Sequence, residues 1–173
     1  MNGLTIKTLC CAILLALATI AMGQKYGARN FFSSERINIL ETSEAWQKGE
    51  EAARILGIKN GDTVACIGIG SGVFALPMAE KAGEEGMVYA QDAHQDILNL
   101  IWKQIKSSRT NNIQLVLGKS ENPTFPDNSL DVAIMRSTYH ETENPVVLLK
   151  NIYKELKPDG RLAVIDWSPV MQL

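Results

Sequence analysis

The sequence predicts a doubly wound α/β domain with a mainly parallel sheet, and three observations support this prediction. Short apolar runs alternate with longer amphipathic runs from residue 63 to residue 167. Each short run is almost unbroken, as expected for strands of a parallel sheet that helices cover on both faces. The turn after the first short run is rich in glycine, and sheets of this kind bind ligands at the carboxyl ends of their strands. With 173 residues, of which 46% are hydrophobic, the chain is long enough for one core and short for two.

The elements follow in a regular order. Apolar residues at helical spacing predict a helical stretch between Ser33 and Leu56, which Gly57 would end. Five strands are predicted at "TVACIGI", "MVYAQD", "IQLVLG", "LDVAIMR" and "RLAVIDW", and three helices at "GVFALPMAEKA", "HQDILNLIWKQIKSS" and "NPVVLLKNIYKELK". Pro77 is a candidate kink in the first of these helices. The stretch "KPDG" predicts a turn before the fifth strand. We therefore divide the chain into a helical segment at 24–56 and a ligand-binding domain at 57–173.

The first 23 residues have the pattern of a secretory signal peptide. Lys7 is the only charged residue among them, an apolar run covers residues 9–22, and small residues precede the exit at Gly23. An uncleaved membrane anchor is the alternative, although the run is shorter than the roughly 20 apolar residues that a membrane-spanning helix needs. The pattern predicts an exported protein, periplasmic or secreted, which would contact a membrane only if this segment is retained.

Charge and cysteine content exclude several classes of function. The formal net charge is −2 and there is no basic block, so nothing indicates a nucleic-acid surface. Cys10 and Cys11 lie in the predicted signal peptide, which leaves Cys66 as one cysteine and permits no intramolecular disulfide. The two histidines, His94 and His140, are far apart in the sequence, so no metal site is predicted.

The glycine-rich turn and one acidic residue together indicate a nucleoside-bearing cofactor. Gly68, Gly70 and Gly72 have G-x-G-x-G spacing, whereas a dinucleotide site would need its third glycine at Val73. Asp92 closes the second predicted strand, where a carboxylate can accept hydrogen bonds from ribose hydroxyls. Taken alone, the glycines could form an ordinary tight turn and Asp92 could cap the next helix. Their combination in the first two strand–helix units favours the cofactor.

Four stretches of the chain resemble the class I S-adenosylmethionine-dependent methyltransferases. They are "VACIGIGSG", "VYAQDAHQDIL", "GKSENPTFPDNSLDVAIM" and "LLKNIYKELKPDGRLAVIDW", and the resemblance extends from about Trp46 to Trp167. The chain looks most like predicted exported bacterial members. The resemblance implies a Rossmann-like methyltransferase fold, S-adenosyl-L-methionine as cofactor, and methyl transfer to an unidentified small-molecule acceptor.

The resemblance also implies a set of site residues. Asp92 would hold the ribose hydroxyls, Ala93 would lie beside the adenine, and Ser120 and Glu121 would flank the adenine ring. The stretch "MRSTYH" after the fourth strand would face the transferring methyl group. The implied cofactor site consists of Gly68, Ile69, Gly70, Ser71, Gly72, Asp92, Ala93, Ser120, Glu121 and Arg136.

His140 is the candidate general base, because it directly follows the fourth strand at the edge where the chemistry would occur. Glu141 is the candidate for orienting its ring, and Tyr139 for lining the acceptor pocket. The alternative is that His140 and Glu141 begin the next helix, whose amino terminus favours acidic residues.

Two departures from the family pattern keep other functions open. Cys66 stands where the family usually has an acidic residue that helps to hold the methionine ammonium, and a buried cysteine carries no charge there. Only "SPVMQL" follows Trp167, whereas the family's sheet continues with two further strands. Either the chain is truncated, or the fifth strand is an open edge through which the chain could self-associate. A non-catalytic exported protein that binds a ligand or partner is therefore the alternative function, and a nicotinamide-dependent oxidoreductase is a third, disfavoured by Val73.

Overall fold

The computed structural model describes residues 43–108 and 110–166, with side chains from residue 48 onward. The predicted signal peptide and most of the predicted helical segment at 24–56 lie outside the described residues, so those boundaries stay predictions. No helix among the described residues is long and apolar enough to cross a membrane.

Helices and strands alternate along the described chain. In order they are α1 (Ser43–Ile55), β1 (Thr63–Ile67), α2 (Ala75–Ala82), β2 (Met87–Asp92), α3 (Gln95–Ser107), β3 (Ile113–Leu117), β4 (Leu130–Arg136), a 3-10 turn (Tyr139–Glu141), α4 (Pro145–Glu155) and β5 (Leu156–Ile165). All five predicted strands are present. Gly57, with φ +60°, follows the end of α1, as the sequence predicts.

The five described strands form one parallel sheet in the order β3-β2-β1-β4-β5. The chain moves outward from β1 to β3 and then returns to place β4 on the other side of β1. The strand order therefore reverses between β1 and β4, and ligands of such sheets bind beyond the carboxyl ends of the strands at this point. This topology confirms the predicted doubly wound, Rossmann-like fold.

The sheet separates two apolar clusters. Strand β1 alternates between them: Val64 and Cys66 pack into the cluster with α2 and α3, and Ala65 and Ile67 pack into the cluster with α4. Four of the five residues of β1 are buried, which explains its unbroken apolar sequence. This packing fixes the position of the turn that follows β1.

Helix α2 begins later than the sequence suggests. Gly72, predicted to open the helix, has φ +75°, and its carbonyl accepts a turn hydrogen bond from the N–H of Ala75. The helix therefore begins at Ala75. Pro77 lies in its first turn, where a missing N–H removes no bond within the helix.

The predicted "KPDG" turn is a bulge inside β5. Leu156 pairs with Leu130, and Arg161 pairs with Val132, so the four residues 157–160 lie opposite Asp131 alone. A side chain at Gly160 would contact the carbonyl oxygen of Leu130 at 2.8 Å, so the bulge requires a glycine there. The turn signal was correct, but the strand begins before it.

Candidate functional site

The three glycines after β1 all have left-handed backbone conformations, with φ of +66° at Gly68, +52° at Gly70 and +75° at Gly72. Their surroundings differ. A Cβ at Gly68 would overlap the side chain of Thr138, and one at Gly72 would lie 2.9 Å from Cδ1 of Ile101. At Gly70 the nearest atom to a Cβ would be 3.9 Å away. Gly70 is thus the position where the turn leaves room for a ligand, whereas Gly68 and Gly72 make room for side chains of the protein.

Gln91, which the sequence analysis did not single out, supports this turn. Its side-chain oxygen accepts a hydrogen bond from the N–H of Gly68 at 3.3 Å, and its backbone carbonyl accepts one from the N–H of Ile69 at 2.9 Å. The side chain is buried, with 2% of its surface exposed. A polar residue inside the apolar run "MVYAQD" was the available signal, because a buried amide needs partners.

The carboxylate of Asp92 joins the glycine turn to the start of α3. Oδ2 accepts a long hydrogen bond, 3.4 Å, from the N–H of Gly70, and Oδ1 accepts one of 2.9 Å from the backbone N–H of His94. Nδ1 of His94 lies 3.1 Å from the same Oδ1. The carboxylate therefore bonds the residue before α3 and also faces Gly70, and its predicted role toward the ribose hydroxyls stays a prediction. Ile69 and Ser71 are buried beside Gly70, and Ala93 is half-buried next to Asp92.

The loop after β3 is held by α4. The side chain of Glu121 accepts a hydrogen bond from Asn144 at 2.5 Å, and its backbone carbonyl accepts one from Asn151 at 2.7 Å. Ser120 is exposed. Because Gly118 N–H donates to the carbonyl of Asp92 at 2.9 Å, this loop begins directly beside the end of β2. The loop thus lies at the same edge of the sheet as the glycine turn.

The segment after β4 contacts the ends of two neighbouring strands. The hydroxyl of Thr138 lies within hydrogen-bond distance of the carbonyls of Ile67 and Gly68, at 3.3 and 3.4 Å. The N–H of Ser137, whose φ is +53°, donates to the carbonyl of Ile165 at 2.8 Å. Hydrogen bonds from both sides therefore hold the segment between the β1 turn and the end of β5.

His140 pairs with an acidic residue that the sequence analysis missed. Its Nδ1 lies 2.6 Å from Oδ1 of Asp166, and its backbone N–H donates to Oδ2 of the same carboxylate at 3.1 Å. Glu141, the predicted orienting acid, lies at the other ring nitrogen, with 3.6 Å between its Oε1 and Nε2. His140 belongs to a separate 3-10 turn, and the following helix α4 begins only at Pro145. The structure therefore does not support the alternative in which His140 starts that helix.

Two further predicted site residues flank this segment. The guanidinium of Arg136 lies over the ring of Phe74, 5.5 Å from its centroid, and burial lowers the pKa of this arginine. Tyr139 is 37% exposed. Arg136 therefore reaches toward the β1 turn, while Tyr139 faces solvent.

Cys66 is a core residue. It is 3% exposed, and burial raises the pKa of its thiol to about 12. The thiol is therefore neutral near pH 7 and cannot supply the charge of the acidic residue that the resemblance leads one to expect at this position. The structure supports the interpretation of Cys66 as packing rather than as a reactive group.

A cleft of about 470 Å³ lies at the opposite edge of the sheet and contains none of the predicted site residues. Some of its charged groups form ion pairs with each other. Lys157 Nζ lies 2.7 Å from Oδ2 of Asp131, which also accepts a hydrogen bond from the N–H of Thr63. Partial burial acts to raise the pKa of Asp131, but these hydrogen bonds outweigh it and lower that pKa. No group of acidic, histidine or cysteine residues in the described part of the chain could hold a metal ion.

Comparisons with known proteins agree with this geometry. A demethylmenaquinone methyltransferase of Listeria welshimeri is 29% identical over 123 residues, which are 71% of this chain and 51% of that protein. The corresponding protein of Lactobacillus johnsonii is 28% identical over 139 residues, or 78% and 56% of the two chains. The chain thus spans about half the length of these curated relatives.

The crystal structure of an S-adenosylmethionine-dependent methyltransferase from Aquifex aeolicus has a TM-score of 0.73 and 28% identity, covering 79% of this chain and 74% of that one. A family model described as a methyltransferase domain matches residues 65–164, from β1 through β5. The match covers more than half of the chain and includes the glycine turn, Asp92 and His140. The chain therefore belongs to the methyltransferase domain family.

Proposed function

We propose that this protein transfers a methyl group from S-adenosyl-L-methionine to a small-molecule acceptor. The observation that carries the proposal is the placement of Gly70, open on its Cβ side, against the carboxylate of Asp92. Both lie at the carboxyl edge of the sheet, near the point where strand order reverses, and the matched methyltransferase domain contains both.

The residues present fit this cofactor. A carboxylate offers about four acceptor positions. In Asp92, Oδ1 accepts from the backbone N–H of His94 and lies 3.1 Å from its Nδ1, whereas Oδ2 uses one position for a long bond to Gly70 and keeps another for a ligand. Asp92 is therefore assigned to the ribose hydroxyls and the open side of Gly70 to the methionine portion. Ala93, Ser120 and Glu121 are assigned to the adenine end, as the resemblance implies. The cofactor itself would supply an activated methyl group and its leaving group.

The chain's own contribution is then positioning and proton removal. Correct placement of two reactants lowers the activation free energy by on the order of 7–11 kcal/mol. A general base raises the rate by about 10²–10⁴-fold, which corresponds to about 3–5 kcal/mol. The segment containing His140 is attached to both β1 and β5, so it is held rigidly enough to place an acceptor. Positioning is the larger of the two contributions.

Thermal unfolding with three candidate ligands tests the cofactor assignment. We expect S-adenosylmethionine and its demethylated product to raise the melting temperature, and a nicotinamide dinucleotide to leave it unchanged. Stabilisation by the dinucleotide alone would contradict the proposal and restore the oxidoreductase alternative.

Asp92→Asn tests the site itself, with Asp96→Asn as the matched control. Asp96 is exposed in the first turn of α3, only four residues along the chain. Asn keeps the size of Asp92 and one acceptor oxygen but loses the charge, so we expect at least about tenfold weaker cofactor binding, since hydrogen bonds to charged groups contribute about 1.5–3 kcal/mol. The melting temperature without ligand separates lost binding from lost folding. Equal affinities in the two variants would place the site elsewhere.

A non-catalytic ligand-binding protein is the second candidate, and Cys66 is the observation that favours it. A neutral thiol at this position offers no attraction for the methionine ammonium. If the purified chain binds S-adenosylmethionine but methylates no member of an acceptor panel, this candidate gains. Demethylmenaquinone belongs in the panel, because the two curated relatives compared above are named for it.

Export from the cytoplasm and loss of the first 23 residues belong to the same proposal. They rest on the pattern of Lys7 and the apolar run at residues 9–22. The mass of the mature chain recovered from a secreting host would test them: an intact amino terminus would contradict cleavage.

A further inference from the structure

We infer that Asp166 is a positioning residue that fixes the ring of His140, so that Nε2 removes a proton from a weakly acidic O–H group of the acceptor. The inference deepens the proposed function and rests on it. It adds a residue that the sequence analysis overlooked, and it names the chemical class of the acceptor: phenols and enols rather than aliphatic alcohols.

The pairing of His140 with Asp166 has two points of attachment. One carboxylate oxygen lies 2.6 Å from Nδ1 and the other accepts a hydrogen bond from the backbone N–H of the same residue at 3.1 Å. A carboxylate that holds both the ring and the backbone restricts the rotation of the side chain more than a single contact does. The pair thus has a defined orientation, unlike a flexible ion pair on a protein surface.

The exposed fractions of the two side chains are those expected for a general base, His140, and a positioning residue, Asp166. The side chain of Asp166 is 14% exposed, whereas that of His140 is 39% exposed. The carboxylate is therefore mostly shielded from water, while the ring remains accessible to a molecule at the edge of the sheet. A base must be reachable by the proton that it abstracts.

The pairing selects one tautomer of the ring. An ionised carboxylate can only accept hydrogen bonds, so in the neutral ring Nδ1 of His140 carries the proton and Nε2 has the lone pair. Glu141 lies on that side of the ring, with its Oε1 3.6 Å from Nε2. Among the described residues, Asp166 and Glu141 are charged groups that lie against the ring.

The neighbouring contacts place this pair beside the cofactor turn. Thr138, two residues before His140, approaches the carbonyls of Ile67 and Gly68 at the end of β1. Gly70, the open position of the turn, follows two residues after Gly68. The ring and the assigned methyl-donor site therefore share one edge of the sheet.

The proposed reaction is a nucleophilic displacement at the methyl carbon, coupled to proton removal, in which atoms and electrons balance. The acceptor O–H gives its proton to Nε2 of His140, and an oxygen lone pair forms the new O–C bond to the methyl carbon. The C–S bond breaks and its electron pair stays on sulfur, while the ring later releases its proton to water. Proton transfer to imidazole is most effective when the pKa of the donor is near that of the base, which favours phenols and enols.

Nitrogen NMR of the imidazoles tests the positioning role without cofactor or acceptor. The chain has two histidines, so a His140→Gln variant assigns the signals. We expect the Nδ1–H tautomer for His140 in the unaltered protein and a loss of that preference in Asp166→Asn, whose amide can donate to Nδ1. The control, Asp159→Asn, removes an exposed acid in the β5 bulge and should keep the tautomer. An Nε2–H tautomer in the unaltered protein, or no change in Asp166→Asn, would overturn the inference.

A series of phenols of increasing acidity tests the acceptor class. With weakly acidic phenols, His140→Gln and Asp166→Asn should lower kcat/KM by about 10²–10⁴-fold, while the KM for S-adenosylmethionine stays unchanged. The loss should shrink for phenols that are already ionised at the assay pH, and Asp166→Glu should restore part of the rate. A constant loss along the series would indicate a structural role and overturn the base assignment.

The two tests separate the inference from the function on which it rests. If the unaltered protein does not bind S-adenosylmethionine, the proposed function and the acceptor class both fail, and the tautomer experiment still decides whether Asp166 positions the ring. If the protein binds the cofactor and methylates an acceptor, but equally well in Asp166→Asn, the inference alone fails.

Discussion

Glu155 predicts a pH dependence of folding that can be worked out from its surroundings. It is the last residue of α4 and is 3% exposed. Its Oε1 accepts a hydrogen bond from the N–H of Phe125 at 3.0 Å, while its Oε2 has no hydrogen-bond partner among the described residues. Burial raises the pKa of this carboxyl to about 7, and the negative charge of Asp127 also raises it. Hydrogen bonds from the backbone of Phe125 and Thr124 lower this pKa but do not outweigh burial.

The sign and size follow from linkage. The folded chain holds the proton of Glu155 more tightly than the unfolded chain does, where the carboxyl has its ordinary pKa of 4.5. The contribution to stability is therefore complete below pH 4.5, falls as the pH rises, and is lost above about pH 7. At about 1.4 kcal/mol per pH unit between these values, the loss amounts to about 3 kcal/mol of unfolding free energy.

Urea unfolding of Glu155→Gln across this pH range measures the effect. Gln keeps an acceptor for the N–H of Phe125 but does not titrate, so the difference in unfolding free energy between variant and unaltered chain should change by about 3 kcal/mol in favour of the variant from about pH 4.5 to 8. Glu80→Gln, an exposed position on α2, is the matched control and should show little change. Parallel pH profiles for Glu155→Gln and the unaltered chain would refute the reasoning.

The glycine turn and the buried thiol give further predictions. Gly68→Ala should lower the unfolding free energy by about 2–4 kcal/mol, because the overlap of its Cβ with Thr138 costs about 1–3 kcal/mol and the positive φ about 1 kcal/mol more. Gly70→Ala has only the backbone strain and should cost about 1 kcal/mol. Equal losses in urea unfolding would contradict this account of the turn. Cys66 should not react with a thiol reagent in the native protein near neutral pH and should react on unfolding; rapid native labelling would show that it is accessible.

The parts of the fold that depend on local sequence were predictable. Apolar runs identified all five strands. In β1, β2 and β4 most residues are buried, which explains their apolar sequences, whereas β3 and β5 at the two edges of the described sheet are partly exposed. The start of α2 was harder to predict from the sequence. The positive φ of Gly72 precedes the helix, and the space at Gly72 is occupied by Ile101, a residue of another element. Whether a glycine serves a turn, a ligand or a neighbouring side chain is decided by contacts between elements, which a single sequence does not display.

The candidate site, too, has residues that the local sequence indicates and residues whose partners depend on contacts between elements. Asp92 was predictable because an acid at the carboxyl end of a strand meets the edge where ligands bind. Asp166 carries the same signal at the end of "RLAVID", yet it was overlooked in favour of Glu141, the sequence neighbour of His140. Arg136 pairs with Ile165 in the sheet, so the residues that follow β4 and β5 are brought together although 26 positions separate His140 from Asp166. Sheet adjacency, rather than distance along the chain, selects the partner.

The contacts of Thr138 give Gly68 a role different from the one that the resemblance implies. With no side chain at Gly68, the hydroxyl of Thr138 can approach the carbonyls at the end of β1, and Ser137 and His140 are held in turn by β5. Gly68 thus belongs to the assigned cofactor turn and also leaves space for Thr138, which precedes the assigned base His140. A change at Gly68 should therefore disturb the orientation of the His140 ring as well as stability. A change at Gly70, apart from its backbone strain, should affect only the cofactor side, because its Cβ direction faces open space.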